Sequence, residues 1–121
     1  MKSSEKLLET AIMALEDLKA SNIHVMDVSK LTALCNTMIV ASADSTRQTR
    51  ALANHVQEKV KATGGMVHGI EGEQTGEWLL VDLGDIVVHI MQPAIRSYYD
   101  LEGLWSEQAW RSPQENSTVY G

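Results

Sequence analysis

Asp82 and Asp85, two carboxylates bracketing Leu83 and Gly84, are the pair whose type and spacing come nearest to catalytic chemistry. Such a pair could hold a divalent ion, and Ser42-Ala-Asp-Ser45 at a helix start could contact a triphosphate. Together these would serve metal-dependent nucleotidyl transfer. The loop lacks the Gly-Ser that lets phosphates approach closely, and aspartates at the two ends of a tight turn are equally accounted for as turn caps. The four histidines, His24, His55, His68 and His89, fall on different predicted elements, with no HExxH and no i, i+4 pair. They read as ordinary sheet or surface histidines. Cys35 lies on an apolar stretch without a neighbouring base to activate it, which predicts a buried, inert thiol. No nucleophile elbow, phosphate loop or dinucleotide fingerprint occurs, and Gly64-Gly65 and Gly69-Ile-Glu-Gly72 suit turns. The expectation is therefore no catalytic residue, no metal and no cofactor, with a nucleotidyltransferase-like enzyme using Asp82 and Asp85 as the alternative.

A different chemistry, that of protein contact, is better supplied. The chain has no Phe, yet Trp78, Tyr98, Tyr99 and Trp105 fall within one short stretch. Trp and Tyr anchor interfaces because they join large apolar area to a polar handle. Residues 71 to 107 hold eight carboxylates against Arg96 alone, while the chain as a whole carries a formal charge of −6. Acid concentrated around an apolar segment repels nucleic-acid phosphates and attracts a basic protein surface. A single cysteine permits no disulfide framework and points to a reducing compartment, with cytoplasm the default. No apolar run approaches the roughly 18 residues of a membrane span, and the N-terminus leads into an amphipathic segment, not a signal-peptide core.

The elements that must position these residues follow from periodicity. Leu8, Ile12, Leu15 and Leu18, widened by Leu7, Ala11 and Ala14, predict a first helix capped by Ser3-Ser-Glu5. Ile23 to Val28 alternates as a strand, and Cys35 to Ser42 is rich enough in β formers to be its antiparallel partner. Ser45 with Gln48 makes a capping box for a second helix with buried Ala51, Leu52, Val56 and Val60, stopped by Gly64-Gly65. Met66 to Ile70 is a third strand, parallel to the second because a helix connects them. Trp78 to Val81 and Ile86 to Met91 form a hairpin. With Leu83-Gly84 as its loop, Asp82 opposes Asp85, Leu80 opposes Val87 and Trp78 opposes His89, leaving Leu79, Val81, Ile86, Val88 and Ile90 on one aliphatic face. Pro93 opens a last helix through Ile95, Tyr98, Leu101 and Trp105, on which one of Tyr98 and Tyr99 turns inward. The fold class is α+β, a mixed five-stranded sheet flanked by helices, in a single domain over residues 1–105 with a flexible tail over 106–121.

Gly76-Glu-Trp-Leu-Leu-Val-Asp-Leu-Gly-Asp-Ile-Val-Val-His-Ile-Met91, Arg96-Ser-Tyr-Tyr-Asp-Leu-Glu102 and Leu104-Trp105 resemble the signature of the Iojap family of ribosomal silencing factors. Ile39-Val-Ala-Ser42, Ser45-Thr-Arg-Gln48 and Gly69-Ile-Glu-Gly72 extend the resemblance over all but the tail. Asn36 and Ala43 depart from it, standing where the family commonly has Asp and Gly. The resemblance implies a nucleotidyltransferase-like fold without catalytic activity. It further implies binding to the large ribosomal subunit through its protein fourteen, a steric block to small-subunit joining, repression of translation when nutrients are short, and a role in large-subunit assembly. It also implies a homodimer contact, with no sequence-specific nucleic acid and no membrane as partner. Carried onto this sequence, Trp78 and one of Tyr98 and Tyr99 are apolar anchors, with His89 beside Trp78 and Leu101 adding area. Asp82 and Glu102 face basic groups of the partner, and Arg96 orients neighbouring carboxylates or reaches an acceptor.

Overall fold

A computed structural model describes residues 2–104. Helix α1 (Lys2–Asp17) leads into strand β1 (Ser21–Asp27), then β2 (Thr37–Ser42) and helix α2 (Thr46–Ala62). A short β3 (Gly69–Glu71), the hairpin β4 (Trp78–Asp82) and β5 (Ile86–Met91), and two short helices, α3 (Pro93–Tyr99) and α4 (Leu101–Leu104), complete it. The strands form one sheet in the order β1-β2-β5-β4-β3. Only the β2–β5 pairing is parallel, so the sheet is mixed, as predicted. The predicted tail and Trp105 lie outside the described residues.

Both long helices cover one face of the sheet. Ala11, Ala14 and Leu15 of α1 and Leu52, Ala53, Val56 and Val60 of α2 are buried against Ile39, Ala41, Leu79, Val81, Ile86, Val88 and Ile90. Every one of these is aliphatic, and each large side chain removed from water contributes about 1.5–3 kcal/mol before chain entropy is counted. The helix faces are rotated slightly from those predicted. Ala53 is buried where Ala51 was expected, and Leu18 lies past the end of α1, 37% exposed. Helix α1 begins at Lys2, upstream of the predicted serine cap. The capping box of α2 forms: the Ser45 side chain accepts from Gln48 N at 3.1 Å, and Gln48 Oε1 accepts from Asp44 N at 3.0 Å.

Three connections differ from expectation. The second strand starts at Thr37, not Cys35, and the third is only Gly69–Glu71. That third strand runs parallel to β2, as expected of a helical crossover, but it lies at the sheet edge with β5 and β4 between them. In the hairpin, Leu83 N donates to Ile86 O at 2.9 Å, so the turn is Gly84-Asp85, one residue later than predicted. The register therefore shifts by two: Trp78 opposes Met91, Leu80 opposes His89 and Asp82 opposes Val87. Side chains alternate with period two, so an even shift changes partners and leaves the two faces as predicted. The shift has a local cause. Asp82 Oδ1 accepts from Gly84 N at 2.8 Å, and Gly84 takes φ +91°, which lets the aspartate start the turn instead of pairing across it.

Candidate functional site

The sheet face away from α1 and α2 is built in three cross-strand rows. One runs Ser42, Met91, Trp78; the next His24, Val40, His89, Leu80, Glu71; the third Met26, Met38, Val87, Asp82, Gly69. The chain itself covers part of this face. Val28, Cys35, Met38, Val40 and Met91 are buried there, with Leu31 from the β1–β2 connection and Ile95 and Leu101 from the C-terminal helices packed over them. Cys35 is thus buried, as predicted, and burial raises its thiol pKa, with Asp82 adding to the effect. Toward β4 and β3 the cover ends. Trp78, Leu80, Asp82 and Val87 remain half-buried and Glu71 is exposed.

An aromatic chain marks this boundary. The Trp78 indole N–H donates to His89 Nδ1 at 2.9 Å, across a diagonal of the hairpin. Indole is only a donor, so Nδ1 must offer its lone pair and the imidazole proton sits on Nε2. Burial pushes the His89 pKa down to about 4, and the ring is accordingly neutral. Tyr99 lies against Trp78 with ring centroids 4.9 Å apart, and Tyr98 meets Tyr99 edge-on at 5.0 Å. Neither tyrosine turns inward: Tyr99 is 52% exposed and Tyr98 80%. The predicted single helix is broken at Asp100, which takes the left-handed conformation (φ 47°, ψ 56°). The break ends α3 directly after the tyrosines, and no residue of α3 is fully buried.

A polar latch holds the α3–α4 corner to the sheet. Arg96 donates from Nε to Glu102 Oε1 and from Nη2 to Glu102 Oε2, both at 2.8 Å, and from Nη1 to Ser42 Oγ at 2.8 Å. His24 Nδ1 on β1 lies 2.7 Å from Glu102 Oε2. The Arg96 hydrogen bonds, aided by His24 and opposed by partial burial, lower the Glu102 pKa to about 2. Arg96 thus orients a carboxylate, and both Glu102 oxygens are engaged within the chain. Sequence reasoning missed His24 and Ser42 here. Arg96 and Glu102 are six apart, which is no pairing distance on one helix and becomes one only through the turn at Asp100.

Of the predicted site residues, Trp78, His89, Tyr98, Tyr99, Arg96, Leu101 and Glu102 gather at this corner. Asp82 sits apart, at the far end of β4, roughly 13 Å along the strand from Trp78. The parts considered for nucleotidyl transfer are engaged otherwise: Ser42 is buried under Arg96, Ser45 and Gln48 cap α2, and Asp82 closes its turn. Among the described residues, no three His, Cys, Asp or Glu side chains gather where a metal ion could be held. No described helix is long and apolar enough to cross a membrane.

Fold and site together define a small α+β domain with one helix-covered sheet face and one face left partly open beside an aromatic cluster. Residues 1–119 match the model of the RsfS family, described as a ribosomal silencing factor during starvation, and the chain belongs to that family. It is 54% identical over 104 residues to the ribosomal silencing factor RsfS of Chromobacterium violaceum, covering 86% of this chain and 85% of that one. A crystal structure of a C. violaceum protein, also 54% identical, superposes with a TM-score of 0.82 over 84% of each chain. More distantly, the mouse mitochondrial assembly of ribosomal large subunit protein 1 is 28% identical over 102 residues, 82% of this chain and 45% of that one.

Proposed function

We propose that this chain, acting in the cytoplasm, docks on the large ribosomal subunit through its protein fourteen. There it stands in the way of the small subunit and represses translation when nutrients are short. Family membership supports the ribosomal setting. The observation that carries the docking mode is the pair of exposed tyrosines, Tyr98 and Tyr99, stacked on half-buried Trp78 at the edge of an incompletely covered sheet face.

In this reading Tyr98, Tyr99 and Trp78 anchor the contact, and Leu80 and Val87 extend its apolar floor. Asp82 and Glu71, in adjacent rows of the same face, meet basic groups on the partner. His89 fixes the Trp78 ring from beneath, while Arg96, Glu102 and Leu101 hold the corner that carries the tyrosines. The mechanism is occlusion. A homodimer formed through the same surface would compete with the ribosome for it.

Co-sedimentation with purified large subunits tests the proposal. The native chain pellets with them and lowers their reassociation with small subunits. Trp78→Ala and Asp82→Lys both weaken the interaction by roughly tenfold or more, the second through reversed charge. A native chain that neither pellets nor affects reassociation would end this reading.

A further inference from the structure

Two neighbouring residues of α2, Thr49 and Arg50, reach to the loop over residues 72–77 that delivers the chain into β4. Arg50 Nη2 donates to Glu73 O at 2.9 Å and to Gln74 O at 3.0 Å, with Nε 3.3 Å from Glu73 O. One planar guanidinium therefore reaches two successive carbonyls and holds the first through two nitrogens, a fork that a lysine ammonium does not reproduce. Among the described residues Arg50 has no carboxylate partner, although Glu73 belongs to the loop it holds. Thr49 is completely buried, and its Oγ lies 2.6 Å from Gly76 O and 2.8 Å from Thr46 O. The hydroxyl has a single proton, and the shorter contact is the one to the loop.

The loop transmits this hold to Trp78. Gly76 N donates to Gly72 O at 3.0 Å, closing the loop on itself. Gly72 has φ +91°, and a Cβ there would run into the Trp78 carbonyl, so the loop lies directly on the backbone of that residue. At the other end, Gln92 N donates to Glu77 O at 3.0 Å. Beyond the two α2 side chains, the path to Trp78 is made of backbone contacts.

We propose that Arg50 and Thr49 are positioning residues for Trp78. From the helix on the covered side of the sheet, they set the backbone from which the anchor of the open side projects. This rests on the docking reading above. Neither residue need touch the partner.

The test compares the full-length native chain with Arg50→Ala, Arg50→Lys and Thr49→Val, reading amide hydrogen exchange and co-sedimentation with purified large subunits. In Arg50→Ala, exchange at residues 73–78 rises roughly tenfold while β2 and β5 keep their protection, and binding weakens roughly fivefold to tenfold. Arg50→Lys recovers part of both effects, and Thr49→Val, which keeps the buried volume, moves both in the same direction by less. Unchanged binding in Arg50→Ala overturns the inference. Weaker binding with unchanged loop exchange also overturns it, because Arg50 would then contact the partner directly. A uniform rise in exchange that includes β2 and β5 overturns it as well, by showing general destabilisation. If the native chain does not pellet with large subunits, the docking reading fails first and this inference falls with it. If the native chain pellets and Arg50→Ala pellets equally, only the positioning role is lost.

Discussion

The two faces of the sheet are made from alternate residues of the same strands, yet they are different kinds of surface. Leu79, Val81, Val88 and Ile90 point to one side, where two long helices bury them completely among other aliphatic groups. Trp78, Leu80, Val87 and His89 point to the other, where a connection and two short helices cover part of the area and stop. The first face is closed by chain length: 16 and 17 residues of helix are enough to span it. The second has only the seven residues of α3 and the four of α4, held down by a polar latch. In the docking reading, the sheet face covered by short, latched elements and edged by exposed tyrosines serves a partner, whereas the covered face serves stability.

Mutations in neighbouring residues should separate these roles. Leu79→Ala, on the covered face, costs about 2–5 kcal/mol in urea unfolding, because it removes a fully buried side chain and leaves a cavity. A loss below about 1 kcal/mol would show that the helices close over the gap and that this face is less tightly packed than it looks.

Next in size is the acid response of the other face. His89 has its pKa lowered to about 4 in the folded state, so between its unfolded value near 6.5 and 4 the unfolded chain takes up the proton first. Stability from this group is complete above pH 6.5 and is lost as pH falls to about 4, with a total of about 3 kcal/mol. His89→Gln should flatten that window in pH-dependent denaturation. An unchanged slope between pH 6.5 and 4 would show that the imidazole is not held neutral by burial.

The latch gives a smaller effect in a lower window. Glu102 has its pKa lowered to about 2 by Arg96, so its contribution is complete above about pH 4.5 and is lost as pH falls toward 2. Glu102→Gln at neutral pH should cost about 1–2 kcal/mol, since the pair is partly exposed. It should also loosen Tyr98 and Tyr99, seen as greater side-chain mobility by NMR. Unchanged tyrosine order in that variant would mean that apolar packing alone holds the corner. The smallest change in stability belongs to Leu80→Ala, about 1 kcal/mol, because the side chain is only partly buried and its removal leaves no closed cavity. Set beside Leu79→Ala, it sharpens the contrast: adjacent leucines, one reporting on unfolding and the other on binding.

The covered face was legible in the sequence because it depends on period alone. Alternation in the hairpin assigned Leu79, Val81, Ile86, Val88 and Ile90 to one side, and a register error of two residues left that assignment intact. The open face was legible in composition and not in geometry. Acid and aromatic residues stood out, but the left-handed turn at Asp100, which ends α3 after the tyrosines and brings Glu102 back to Arg96, has no glycine to announce it. Asn and Asp are the side chains that tolerate this conformation, and a single aspartate is too weak a signal to break a predicted helix. His24 and Ser42 joined the latch through strand pairing across the sheet, a long-range relation that local patterns do not carry.

The central claim, that the open face is the docking face, is tested most directly by hydrogen exchange and side-chain footprinting of the chain free and bound to large ribosomal subunits. Protection should appear over β4, at Trp78, Leu80 and Asp82, and at Tyr98 and Tyr99, while Met13, exposed on the outer side of α1, keeps its reactivity. Protection at Met13 and the outer sides of α1 and α2, with Trp78 and the two tyrosines unchanged, would contradict it.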